Sequence, residues 1–297
     1  PESLKLPPSW VDTPKTRSDY SKYLAEITFF DRQCGALLDL LDEQGVADNT
    51  LVMVVSEQGS AFPFAKWTCF ELGLTSGMII RWPGHVEPGS HSDALVEYCD
   101  VAPTFLQAAG VDVPGSMDGQ SFLTVLTGES KEHRKYTFGL HTTRGIINGS
   151  ENFGIRSCGT KRYRYIRNLN ADQTFSNAVM KVRKDRLSFW QEWIREAQSG
   201  NEHAAAMTAK YMRRPAEELY DVKADPHCLT NLIGDPQLSG VRKELSAQLD
   251  QWMKSQGDEG AATEAIANTR KASAQKKKQP QQKNKRKNEG QRESDTF

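Results

Sequence analysis

The sequence predicts an α/β fold, in which a helix-flanked sheet is followed by a small, separate antiparallel sheet. Two observations carry this. A five-residue apolar run at 51–55 is too short for a helix and rich in β-branched residues, so it reads as a buried strand. It follows an amphipathic helix and precedes a second short strand at 78–81, a β-α-β-like rhythm that implies a main parallel sheet. Beyond residue 135 the character changes to short pieces with partial period-2 alternation, at 138–140, 145–148, 154–157, 163–168 and 218–222. Such pieces suit a small antiparallel sheet.

The elements follow in order. Residues 1–16 are Pro-rich and extended. Residues 19–41 place Tyr20, Leu24, Ile27, Cys34, Leu38 and Leu41 at three- to four-residue steps, widened by Phe30 and Leu37, and Gly45 stops the helix. Asp100 stands where it can cap a helix through Ala109, with Pro103 in the first turn and Gly110 at the end. Residues 128–135 read as a loop and a turn of helix, and 178–197 and 204–212 as helices on the second subdomain. A last amphipathic helix at 238–254 uses Leu238, Val241, Leu245, Leu249 and Trp252.

The chain has 297 residues and a formal net charge of zero, unevenly spread. From 270 to 297 there are ten Lys or Arg against three Asp or Glu, so the remainder carries a net deficit of seven. The acidic body does not resemble a nucleic-acid binder. After Gly257 apolar residues run out, and the segment with Lys276, Lys277, Lys278, Lys285, Arg286 and Lys287 reads as a disordered basic tail for which solvation is the default role. An affinity of that tail for anionic polysaccharide or nucleic acid stays open. No apolar run is long enough to span a membrane. The five cysteines form no CxxC pair.

The chemistry concentrates where the first strand ends. Ser56, Glu57, Gln58 and Gly59 sit at its carboxyl end, where open α/β sheets bind ligands. A carboxylate and an amide there are hard oxygen donors, better suited to Ca2+ or Mg2+ than to zinc. The bland alternative is a polar turn. Lys66, between Phe64 and Trp67, is either a solvated lysine or one whose stem is packed and whose ammonium is aimed. His141 follows a strand in His-Thr-Thr-Arg-Gly, and Arg144 is an anion contact or an exposed loop residue. Asn148-Gly149-Ser150 matches a glycosylation triplet.

Glu57, Gln58, Gly59, Phe62, Pro63 and Lys66 resemble the sulfatase family, nearest its heparan N-sulfatase (sulfamidase-like) branch. So do the runs Ile79–Gly84, Ser92–Leu95, Asp100 with Ala102–Thr104, and Met117–Ser121. Glu218, Leu219, Tyr220, Asp221, Asp225, Pro226, Asn231 and Leu232 complete the set. Together these blocks cover roughly residues 10–255. The resemblance implies an alkaline-phosphatase-like mixed sheet sandwiched by helices, with a small antiparallel C-terminal subdomain. Residues 1–135 would be the C-terminal part of the catalytic α/β domain, 136–256 the small subdomain and 257–297 the tail. It further implies that Glu57 and Gln58 ligate Ca2+, that Lys66 contacts the sulfate and that His141 contacts substrate.

The chain departs from the family pattern in two ways. The metal pair is Glu-Gln where the family has Asp-Asn or Asp-His, so each side chain is one methylene longer and the backbone must sit back by about 1–1.5 Å. The nucleophile motif, Cys or Ser followed by x-Pro-x-Arg, is absent at Cys34, Cys69, Cys99, Cys158 and Cys228. The formylglycine made from it, and the paired aspartates of the metal site, are expected upstream. The chain is therefore read as a fragment, inactive alone, of a periplasmic or secreted hydrolase of sulfated small molecules or polysaccharides. Two other readings stay open: a phosphoesterase on the same fold, and a non-catalytic polysaccharide-binding protein.

Overall fold

The computed structural model describes residues 2–142, 153–180 and 188–266. The expected strand at 145–148, Arg144, the glycosylation triplet, residues 181–187 of the helix expected at 178–197 and the basic tail beyond 266 lie outside the described residues.

A long helix opens the chain, α1 (Pro14–Glu43). Local chemistry sets its start. Thr13 is extended, its hydroxyl accepts from the Thr16 N–H at 3.1 Å, and Pro14 stands at the first helical position. Gly45, at φ +67°, ends it. The apolar stripe read from the sequence is present, but much of it faces outward, with Ile27, Phe30, Leu37 and Leu40 exposed. Only the first turns of α1 are tied to the core. Trp193 Nε1 donates to Thr16 Oγ1 at 2.9 Å, and the Tyr20 ring meets Trp10 edge-on at 5.1 Å.

The strands at β1 (Val52–Val55) and, past the short α2 (Glu71–Leu74), β2 (Met78–Arg81) fall within a residue of the expected positions. Their pairing corrects the sequence reading. β1 and β2 run antiparallel, Val52 opposite Arg81 and Val55 opposite Met78, and among the described residues every ladder is antiparallel. A parallel pair needs a crossover, usually a full helix, between its strands. Here the connection carries only the one-turn α2, and the chain turns back on itself.

After β2, α3 (Val101–Ala108) and the one-turn α4 (Leu123–Leu126) lead to the second sheet. Asp100 stands at the start of α3, but the side-chain cap expected there is not made. Its fully buried carboxylate instead gathers three segments. It accepts from the Glu97 N–H at 2.9 Å, the Gln120 N–H at 2.8 Å and Arg134 Nε at 2.7 Å, and lies 3.1 Å from His133 Nε2. The carboxylate thus closes a capping box with Glu97 in the turn at 98–100, one turn before α3, while Gln120, Arg134 and His133 hold it from afar.

The second sheet is a meander: β3 (Thr137–His141), β4 (Ile155–Gly159), β5 (Tyr163–Asn168) and, beyond α5 (Phe189–Gln198) and α6 (Glu202–Met212), β6 (Glu217–Asp221). Period 2 splits it into two faces. Cys158, Tyr165 and Leu219 lie in register and pack on Leu245, Leu249 and Met253 of α7 (Ser239–Ser255). On the opposite face, Ile155, Ile166 and Tyr220 join an aromatic core with Phe64, Phe70, Phe175, Trp190 and Tyr211. His141 belongs to this second face, since it pairs with Ile155. Gly139 makes room there, since a Cβ would lie 2.7 Å from the methyls of Leu74 on α2 and from Ser157 Oγ and would push those side chains aside.

The stretch after α7 differs from expectation. Residues 258–266 pack against the body, with helical turns at 261–266. Arg156, 2% exposed, donates from Nε to Asp258 Oδ2 at 2.5 Å and from Nη2 to Glu264 Oε1 at 2.9 Å. Glu264 also accepts from Thr142 Oγ1 at 2.7 Å. Composition hid this segment because it docks through charge rather than apolar area.

Candidate functional site

The site is built on the loop between β1 and α2. The β1–β2 ladder runs one residue past the strand, with the Ser56 N–H donating to Gly77 O at 2.9 Å and the Gly77 N–H to Ser56 Oγ at 2.8 Å. Glu57 and Gln58 follow, both exposed. Gly59 then turns the chain at φ +57°, where a Cβ would lie 2.5 Å from Leu72 O and 2.8 Å from Lys66 N. Only glycine allows this approach, and it sets the backbone of Lys66 against the Glu57 turn. The Lys66 N–H donates to Ser60 O at 3.1 Å.

Packing holds this loop rigid. Phe62, Pro63, Phe64 and Ala65 are buried. Trp10 stacks on Phe62 at 4.3 Å and donates from Nε1 to Pro63 O at 3.1 Å. Phe64 contacts Phe70 at 5.4 Å and Tyr211 at 5.0 Å. Phe64 and Trp67, two residues before and one after Lys66's own position, both sit at φ +64°. Left-handed backbone costs a bulky residue about 1–3 kcal/mol, and such strain persists only where its surroundings over-determine it. The strain brackets Lys66.

Lys66 Nζ lies 2.5 Å from Glu57 Oε2 and 5.4 Å from the Trp67 ring centroid. The lysine side chain is 19% exposed and the glutamate 68%. The packed-stem, aimed-ammonium arrangement is thus the one observed, and two of the residues singled out in the sequence meet each other. Beside them opens a cleft of about 230 Å³ whose lining includes Pro7, Trp10, Tyr20, Tyr23, Ser56 and Glu57. The two tyrosines and Trp10 were not singled out as site residues. The available signal was the spacing of Tyr20 and Tyr23, which puts both rings on one face of α1.

Among the described residues, no three His, Cys, Asp or Glu side chains converge as a metal cluster. Glu57 and Gln58 fit Ca2+ as hard, exposed oxygen donors, but they would fill only part of a shell of about six to eight oxygens. Three of the five cysteines are buried and held as thiols. Burial pushes the Cys69 thiol up to about 11 and those of Cys158 and Cys228 up to about 12.

His141 stands elsewhere, and its ring is buried. Nε2 has no hydrogen-bond partner among the described residues, and Phe175 meets the ring edge-on at 5.7 Å. The ring sequence Phe175, Tyr211, Phe64 links it to the Lys66 loop. Burial pushes its pKa from 6.5 down to about 4, aided by the charges of Arg214 and Arg156 and opposed by Glu264. The unfolded chain therefore takes up a proton that the folded one refuses between these values. Stability from a neutral His141 is complete above about pH 6.5 and falls by about 3 kcal/mol on acidification to about pH 4. Replacing it in His141→Phe flattens that limb of a stability–pH curve from urea titrations.

The Arg214–Glu218 ion pair, at 2.6 Å, was also missed. Both side chains are buried, the guanidinium lies 4.1 Å over Phe70, and Asn168 Nδ2 donates to Glu218 at 2.7 Å. Nothing in a lone Arg and Glu four residues apart distinguishes a buried pair from a surface one.

Comparison with known proteins agrees with this architecture. The family model for sulfatases matches residues 6–111, and that for the C-terminal part of N-sulphoglucosamine sulphohydrolase matches residues 59–187. An ulvan-active sulfatase of Formosa agariphila is 34% identical over 82% of this chain and 44% of its own length. Human N-sulphoglucosamine sulphohydrolase is 25% identical over 85% of this chain and 51% of its own. A solved structure in complex with its substrate D-glucosamine-2-N,6-O-disulfate superposes with a TM-score of 0.56 at 23% identity, covering 80% of this chain and 41% of that one. The chain thus spans about half the length of the relatives it matches. No helix among the described residues is long and apolar enough to cross a membrane. With the alkaline-phosphatase-like α/β architecture and both matched segments in place, the chain belongs to the sulfatase family and carries the part that the N-sulphoglucosamine sulphohydrolase C-terminal model describes.

Proposed function

We propose that this chain supplies one side of the active site of a hydrolase of sulfate esters or sulfamates, with sulfated polysaccharide as the substrate class. The observation that carries the reading is the ammonium of Lys66, held on a strained, packed loop against the carboxylate at the end of β1. A cation fixed in this way is preorganised for an anion and needs little rearrangement to receive one. Glu57 and Gln58 would hold Ca2+, which when bound supplies positive charge to the sulfate oxygens. Lys66 exchanges its contact with Glu57 for one with a sulfate oxygen, and stabilises the charge that builds as the leaving group departs. As a point charge it neutralises one oxygen rather than two. His141 stays outside the direct-contact set because its ring is covered. The nucleophile and the remaining metal ligands lie, in this reading, on a part of the protein beyond this chain. A polysaccharide too large to cross a membrane would be met in the periplasm or outside the cell, which is where this reading locates the enzyme.

Turnover of sulfate and phosphate esters of one aryl alcohol by the intact protein tests the reading. Sulfate hydrolysis at least about 100-fold faster in kcat/KM supports it. Preference for phosphate replaces it with the phosphoesterase reading, and binding of sulfated polysaccharide without any turnover replaces it with a non-catalytic role.

A further inference from the structure

The cleft beside Glu57 has an aromatic floor that the sulfate chemistry does not use. Tyr20 and Tyr23 stand three residues apart on α1 and so project from one face of it. Their rings are near-parallel, with 16° between the planes and centroids 6.2 Å apart. Both meet Phe62 edge-on, at 6.1 and 6.3 Å, and Phe62 is itself stacked on Trp10 at 4.3 Å and on Phe189 at 5.0 Å. Phe62 lies on the same packed loop as Lys66, so the floor and the ammonium share one support. Tyr23 is 38% exposed and Trp10 only 5%, which makes Tyr23 the ring with open surface. The rim is polar and supplies both hydrogen-bond roles. Ser56 Oγ accepts from the Gly77 N–H at 2.8 Å, which leaves its proton to donate. Thr75 Oγ1 donates to Glu71 Oε1 at 3.0 Å, which leaves its lone pairs to accept.

We propose that this cleft is a subsite for one pyranose ring of the sulfated substrate, with Tyr23 as its stacking platform. The proposal deepens the sulfatase reading and rests on it for the sulfate. Glu57 both lines the cleft and touches Lys66, so a sulfate held by Lys66 has its sugar ring one side chain away. The volume of about 230 Å³ is below the roughly 300–1,000 Å³ of sites for drug-sized ligands, which limits the occupant to a single ring. The C–H bonds on one side of a pyranose present a weakly positive, apolar surface that suits the negative face of a tyrosine ring. Its hydroxyls each donate and accept, as the rim at Ser56 and Thr75 requires. An aryl or alkyl group covers the same floor but offers the rim no hydroxyl, and a site that hydrogen-bonds a hydroxyl turns away the analogue lacking it.

The test is saturation-transfer NMR with the intact protein and D-glucosamine, which carries no sulfate and is bound without turnover. Transfer to the ring C–H protons is expected, reduced about fivefold or more in Tyr23→Ala and retained in Tyr23→Phe, which keeps the ring. Transfer is also expected to survive Lys66→Met, because the sugar ring is held by the cleft rather than by charge. Cyclohexylamine, with the same ring size and ammonium but no hydroxyls, is expected to receive about fivefold less. No transfer from the parent, equal transfer in a folded Tyr23→Ala, or loss of transfer in Lys66→Met overturns the proposal. Equal transfer to cyclohexylamine overturns it as well, by making the cleft a general apolar groove. The comparison of the two ligands on the parent needs no variant, so it decides the matter where Tyr23→Ala lowers the melting temperature. With D-glucosamine-2-N,6-O-disulfate as substrate, Tyr23→Ala is expected to raise KM about fivefold or more and to change kcat less, since the ring is held alike in the ground and transition states. An unchanged KM overturns the subsite. Absence of any sulfate release counts against the catalytic reading and leaves the NMR result to decide the cleft.

Discussion

Replacing Lys66 with Met is expected to lower kcat/KM of the intact protein for a sulfate ester by about 10²–10³-fold while leaving its melting temperature nearly unchanged. Loss of one preorganised donor to a developing anion costs about 3–4 kcal/mol in the transition state. The two effects separate because of where the pair sits. Glu57 is 68% exposed, so the Glu57–Lys66 contact contributes only about 0–1 kcal/mol to folding despite its 2.5 Å separation. The loop is held instead by Trp10, Phe62 and Phe64, which the substitution does not touch. Lys66→Arg keeps the charge on a longer, planar head and is expected to restore part of the activity. Steady-state kinetics together with thermal melting check this. An unchanged kcat/KM in Lys66→Met removes Lys66 from the site. A large drop in melting temperature assigns it to the scaffold.

The largest stability effect is expected at Asp100. Asp100→Ala should cost about 3–5 kcal/mol, because it leaves Arg134 and two partly buried backbone N–H groups without their shared, fully buried acceptor. The same carboxylate sets an acid limit. Burial raises its pKa, but Arg134 and the N–H groups of Gln120 and Glu97 outweigh that and hold it at about 2, against 3.8 for an ordinary aspartate. Because the folded value is the lower one, the contribution is complete above about pH 4. It is lost as pH falls toward about 2, and amounts to on the order of 2 kcal/mol. Urea titrations of the parent and of Asp100→Asn across this range should converge at the acid end. Parallel curves would show that the carboxylate carries no linked proton.

How much of this was legible in the chain varied with the range of the interaction. Val52–Val55, Met78–Arg81 and the strands of the meander were readable because β-branched runs and short alternation record local preference. The start of α1 was read too late, at 19 rather than at Pro14, although Thr13 and Pro14 spell a cap, because the Pro-rich opening masked it. Asp100 shows the reverse error. A residue of the right type at a helix start caps the turn before that helix instead, through the Glu97 N–H, and is held there by Arg134, which lies beyond the reach of any local rule.

The sequence by itself determined the order of the elements, the position of Glu57, Gln58 and Lys66 relative to a strand end, and the family in which that spacing recurs. Each depends on neighbours a few residues apart. The tertiary structure alone decided four things. It paired β1 with β2 antiparallel, drove Phe64 and Trp67 into left-handed backbone around Lys66, covered His141, and clamped 258–266 to the end of β3. These outcomes come from contacts between segments far apart in the chain, where packing and paired charge exceed the 1–3 kcal/mol that local conformation can oppose.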